Sequence, residues 1–190
     1  MKISPNYKDD DWRRLKFDRE EDWITAIDIF KDRISGRFLI PISKIENYEY
    51  SGFAVMALDC LMIETLQQFF KGTFKTPQGK GKEYFADFLT NTSFNNHFDT
   101  NMAEMFYSQI RCGILHQAEV ESNSKIRITT ELPLVQYTDD KKGLVINRKE
   151  FHSQLKEEIR IYVRKLKNPL NTDLRGNFKK KMDYICRIFI

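Results

Sequence analysis

A chain of 190 residues has room for one domain with a sizeable core. Its hydrophobic share of 41% and charged share of 31% exclude a disordered chain, and no run of about 18 apolar residues is present to suggest a membrane span. The formal net charge of +4 is unevenly spread, with 14 Lys/Arg against 5 Asp/Glu in residues 141–190 and 17 against 22 in the rest. The C-terminal quarter is therefore either a polyanion contact or a solvated amphipathic surface. Cys60, Cys112 and Cys186 are far apart and form no CxxC pair, which points to a reducing compartment, without a disulfide framework or a zinc site. The charged N-terminus carries no apolar stretch of the signal-peptide kind, so a cytoplasmic location is expected.

In chain order, Trp23, Ala26, Ile27 and Phe30 recur at helical spacing and predict a helix over about 22–34, broken by Gly36 and Pro41. FLIPISKIENYEY then reads as a connector. Residues about 51–70 are apolar on nearly every face, the pattern of a central helix packed on several sides, ended by Gly72. After a polar loop comes a short helix near 84–89. A further helix over about 101–118 is capped by Asp99 or Thr100. The period then changes, and KIRIT, LVQYT and GLVIN predict three short strands, a small β insert at about residues 125–147. Asn147 followed by Glu150 reads as a helix start. Two basic helices follow over about 148–188, interrupted at Asn168-Pro169. The expected fold class is all-α, a single helical bundle domain over 1–190 with that insert.

His97, His116 and His152 are the only histidines, and no two sit one helical turn apart, so no metal site is expected. Six residues separate Gly72 from Gly79-Lys80, where a Walker A loop has four, and Gly81 occupies the place of its Ser/Thr. What remains is the 101–118 helix with Arg111 and His116. At 100° per residue, Phe106, Ile110, Gly113, Ile114 and Gln117 share one face, and Met105, Ser108, Cys112 and Leu115 share the opposite one. Arg111 and His116 flank the second face about 140° apart. A helix with a single core face would leave Met105, Cys112 and Leu115 in water, so a homodimer through the 101–118 helix is expected. An ordinary buried helix is the competing reading of the same spacing.

The run Phe106 to Glu119, FYSQIRCGILHQAE, resembles the signature helix of HEPN domains: Arg, four to six residues, then His. Leu58 to Leu66, LDCLMIETL, looks like the preceding long helix in a bacterial branch of that superfamily, and DRISGRFLIPI fits the same branch. The resemblance covers roughly residues 20–120. It implies a HEPN-like dimeric bundle acting as a metal-independent, cofactor-free endoribonuclease in phage defence or as a toxin, with an antitoxin or defence-system partner. Arg111 and His116 would be catalytic, converging from two protomers. The chemistry suits them: RNA carries its own nucleophile in the 2′-hydroxyl, histidine does proton work near neutral pH, and arginine holds phosphorane charge. Glu64, on an otherwise apolar helix, is expected to orient one of the pair. Cys112 and Gln117, beside the motif residues, count as supporting. Lys80 and Lys82 in the glycine-containing loop, and Lys179, Lys180 and Lys181, are candidates for RNA phosphate contacts.

The chain departs from the family pattern twice. Many active members carry Asn, Asp or His directly after the Arg, where this chain has Cys112. This keeps open an inactive HEPN dimer serving as an RNA-binding or regulatory subunit. Glu119 replaces the Tyr of members that are modified by a partner nucleotidyltransferase, which argues against that arrangement.

Overall fold

The protein is mostly helical with one small sheet, in a computed structural model that describes residues 1–129 and 131–188. The elements are α1 (Asp9–Arg13), α2 (Glu20–Ile34), α3 (Ile40–Ile45), α4 (Gly52–Lys71), α5 (Gly81–Asn91), α6 (Thr100–Met105), α7 (Gly113–Gln117), β1 (Lys125–Arg127), β2 (Val135–Tyr137), β3 (Leu144–Asn147), α8 (Arg148–Lys167) and α9 (Thr172–Ile185). The β insert forms as expected. Its strand order is β1-β3-β2, with β1 parallel and β2 antiparallel to β3.

One expectation is corrected and two details are added. The helix of α2 does not break at Gly36 and Pro41: a π turn, Ser35–Leu39, carries it directly into α3. Ile40 N–H reaches back five residues to Ser35 O, so the chain changes its hydrogen-bond register instead of stopping. Gly36 serves close approach, since a Cβ there would run into the Pro5 ring. Asn147 precedes α8, but its side chain does not cap it. Nδ2 donates to Thr129 O (2.7 Å) and Leu132 O (2.9 Å) and fastens the insert. Finally, Asp9–Arg13 are helical, and Trp12 within them is buried.

Contacts gather the chain into two compact units. The terminal unit comprises Met1–Lys44, Gln68–Lys75 and Arg160–Ile190, and the central unit Ile45–Gln67 and Thr76–Ile159. The terminal unit's core is aromatic: Phe30 meets Phe69, Tyr162 and Phe178 at centroid distances of 5.0, 5.6 and 5.7 Å, and Trp12 meets Phe178 at 5.8 Å. In the central unit Phe106 stacks on Phe151 (5.1 Å), and Phe94 and Phe98 complete that cluster. Burying rings of this size supplies about 1.5–3 kcal/mol each. By length and composition alone α4 could cross a membrane, but half of that stretch is buried inside the protein. Its carboxylates Asp59 and Glu64 are both engaged with cationic or imidazole partners.

Candidate functional site

The motif helix is α6, a π turn over Phe106–Cys112, and α7, run end to end. Asp99 caps it, accepting from Met102 N at 2.7 Å, which answers the expectation of Asp99 or Thr100 in favour of the first. The Ser108 hydroxyl donates to the carbonyls of Glu104 (3.0 Å) and Met105 (3.3 Å), just where the backbone pattern changes. Ala103, Phe106, Ile110, Gly113 and Ile114 are buried and form the core face. Gln117, placed with them by a uniform wheel, is instead exposed and donates to Glu121 Oε1 at 3.0 Å.

The far end of the helix is folded back on itself. Ala118 adopts the left-handed conformation (φ 55°) and its N–H donates to Ile114 O. The next residues then pass so close to Gly113 that a Cβ there would strike the Glu119 carbonyl. Glu121 N–H donates to Gln109 O (2.9 Å), while the Gln109 side chain accepts from Ser124 Oγ (2.6 Å) and donates to Lys142 O (3.0 Å). Ser124 Oγ in turn accepts from Leu144 N, so the sheet braces the π turn.

Within that π turn Arg111 is held from several sides. Nη2 donates to Glu64 Oε2 at 3.0 Å, with side chains 18% and 23% exposed. The guanidinium carbon stands 5.4 Å from the Tyr107 ring centroid and 6.0 Å from that of Phe85. Gly81, at the start of α5, leaves room for the Tyr107 hydroxyl, which a Cβ would displace. Burial works against the Arg111 charge, but the Glu64 carboxylate outweighs it and holds the group above its ordinary value. Burial raises Tyr107, with the neighbouring Cys112 adding to it, so the phenol stays protonated. Buried Cys60 is likewise pushed up, by burial and then by Asp59. The expected pairing of Glu64 with the motif arginine is present.

His116 lies five residues on, exposed in the last turn of α7, with no hydrogen-bond or ion-pair partner among the described residues. Beside it Leu115 is 45% exposed, and Met105, Ser108 and Cys112 are half-buried. The face expected to need a partner is thus open to water in one copy. Arg111 is oriented and His116 is not.

The predicted lysines divide. Lys80 pairs with Glu83 (2.6 Å), and Lys82, which lies in α5 and not in the loop, pairs with Glu104 on α6 (3.4 Å), both exposed, so the start of α5 lies against the motif helix. Lys179 and Lys180 lie at the surface of the terminal unit, the former paired with Asp183 (2.7 Å) and the latter over the Phe74 ring. Lys181 is corrected: it is buried and donates to Gln68 Oε1 (2.7 Å) and Phe74 O (2.5 Å), so it serves packing, not phosphate. Burial, followed by the nearby Arg33 charge, lowers it to about 8.

Sequence reasoning missed a second constellation, the buried pair of His152 Nδ1 and Asp59 Oδ1 at 2.8 Å. Burial raises Asp59 despite His152, and its Oδ2 has no partner. Asp59, a second carboxylate beside Glu64 on an otherwise apolar helix, was the available signal. Among the described residues no three His, Cys, Asp or Glu side chains gather as metal ligands. Comparison with protein-family models, with curated proteins and with solved structures finds no match.

Proposed function

We propose that the protein is a HEPN-type homodimeric endoribonuclease that cuts RNA without a metal, using Arg111 and His116 of two copies. The observation that carries this reading is the contrast on one helix. Arg111 is clamped by Glu64 and two rings, while five residues later His116 is exposed and unpartnered beside an apolar strip. A fixed guanidinium suits a phosphorane, and a solvent-facing imidazole suits proton transfer. One His116 takes the proton of the 2′-hydroxyl, whose oxygen attacks the adjacent phosphorus. The bond to the 5′-oxygen breaks, and His116 of the second copy gives that oxygen a proton. The products are a 2′,3′-cyclic phosphate and a 5′-hydroxyl. Lys80 and Lys82, beside the motif helix, serve phosphate contacts, as Lys179 and Lys180 do on the terminal unit. The biological setting is phage defence or a toxin held by a partner.

Incubation of single-stranded RNA with the protein in EDTA tests this directly. Cleavage with cyclic-phosphate ends is expected, with DNA resistant because it lacks the 2′-hydroxyl. His116→Ala should fold normally and not cut. A requirement for a divalent ion, or undiminished cutting by His116→Ala, refutes the mechanism. Cys112, next to Arg111, favours one alternative, a dimer that binds RNA or regulates a partner without cutting. Under that reading RNA is retained intact under every condition.

A further inference from the structure

The terminal unit holds a concentration of positive charge that the proposed reaction does not use. A cleft of about 440 Å³ is lined by Lys2, Arg33, Arg37 and Arg187, with Ile3 and Tyr184 among its apolar walls. Arg33 sits in the last turn of α2 and Arg37 in the π turn that follows. Their hydrogen bonds go to backbone: Arg33 Nη1 to Ile3 O (2.5 Å) and Arg37 Nη2 to Lys2 O (2.9 Å). Two carboxylates stand nearby. Asp32 accepts from Asn6 N (2.9 Å) and Nδ2 (2.8 Å) and lies within reach of the Lys2 charge, and Asp9 pairs with the Met1 ammonium and with Arg13 (4.0 Å). Among the described residues Lys2, Arg33, Arg37 and Arg187 form no ion pair, while the Met1 ammonium, which also lines the cleft, is paired with Asp9.

Gathering these charges carries an electrostatic cost. Burial pulls Arg33 down to about 10, and the charge of Arg37 pushes the same way. The cleft is also built, not incidental. Ile3 is fully buried, and Pro5 packs on Gly36, where a side chain would exclude it, so the 1–7 segment is fixed across the π turn. Arg13 Nη2 takes the Cys186 carbonyl (2.6 Å) at the end of α9, and Arg187 follows in the left-handed region at φ 55°. Three guanidinium forks around one cleft match the oxygens of a phosphate, and the Tyr184 and Ile3 walls leave room for an organic group. The volume lies within the ordinary range of small-ligand sites.

We propose that this cleft binds a phosphate-bearing ligand, its phosphate held by Arg33, Arg37 and Arg187. The same chemistry is offered by a free nucleotide and by the 5′-phosphate end of an RNA. Titration calorimetry on the full chain carrying His116→Ala, which keeps any RNA intact, separates these sources. The probes are pyrophosphate, AMP, and a short oligoribonucleotide with either a 5′-phosphate or a 5′-hydroxyl, all at matched ionic strength. At least one phosphate-bearing probe should bind once per chain and weaken about tenfold in Arg37→Gln and in Arg187→Gln, both surface changes that spare the fold. Binding of AMP assigns the site to a free nucleotide. Binding only of the 5′-phosphorylated oligonucleotide assigns it to an RNA end. If no probe binds, or if binding ignores both substitutions, the proposal is wrong. Binding here is read without cleavage, so it stands or falls separately from the nuclease reading.

Discussion

Arg111 is the residue whose surroundings are most specified, and Glu64 is the group that specifies them. Removing the carboxylate leaves a partly buried cation with one fewer acceptor, and its Nε already lacks a partner. Glu64→Ala should cost about 1–2 kcal/mol in urea unfolding, moderated by the partial exposure of the pair. Under the proposed nuclease reading its effect on RNA cutting should be larger, about ten- to a hundredfold, because a guanidinium free to swing would miss the phosphate. Unchanged cutting by Glu64→Ala would remove Glu64 from the site. Lys181 makes a different prediction. Its folded value of about 8 lies below the ordinary 10.5, so between these the unfolded chain binds more protons. Stability should therefore rise as pH climbs from about 8 to 10.5, with the burial penalty fully present below 8. Lys181→Met should flatten that slope in melts across the window; a slope that persists would place its origin elsewhere. Both residues also show what sequence can carry. Glu64 was legible because a carboxylate among apolar neighbours needs a partner. Lys181 was not, because a lysine in a basic run looks the same whether its stem is solvated or buried.

At the scale of elements, the helices and the insert were legible wherever period and punctuation agreed, as in α2, α4, α8 and the three strands. The π turns were not. A wheel drawn at a constant 100° has no place for a change of register and therefore put Gln117 in the core, while Gly36 and Pro41 read as helix breakers where a π turn in fact carries the chain on from α2 into α3. The clue to both turns lies in contacts far along the chain: Pro5 on Gly36, and the Gln109 to Ser124 brace. Two glycines allow the elements to meet at the site, and each can be tested by one methyl group. Gly113→Ala puts a Cβ against the Glu119 carbonyl, a rigid neighbour, and should cost about 2–3 kcal/mol and disturb the turn that presents His116. Gly81→Ala meets only the tip of Tyr107, which can rotate, so its stability cost should be about 1 kcal/mol or less. The loss in cutting should exceed that of a surface control, since the ring supports Arg111. Equal melting temperatures for Gly113→Ala and wild type would contradict the close approach.

At the scale of the molecule, the question is what covers the strip of Met105, Cys112 and Leu115. If a second copy covers it, Leu115→Glu should give monomers in analytical ultracentrifugation and abolish cutting while leaving the melting curve of the monomer intact, because two unpaired carboxylates would face each other at the seam. A wild-type protein that sediments as a monomer at micromolar concentration would leave no composite site to build. Mutational work on such a seam is often defeated by variants that are too unstable to purify, and the backbone at Ala118 offers a remedy. This alanine is held at φ 55°, a conformation that glycine adopts without steric penalty. Ala118→Gly removes no buried contact and should return about 1 kcal/mol, offset in part by the greater freedom of the unfolded chain. Introduced first, it would give the damaging substitutions at Gly113 and Glu64 a sturdier background, so that lost activity could be read apart from lost protein.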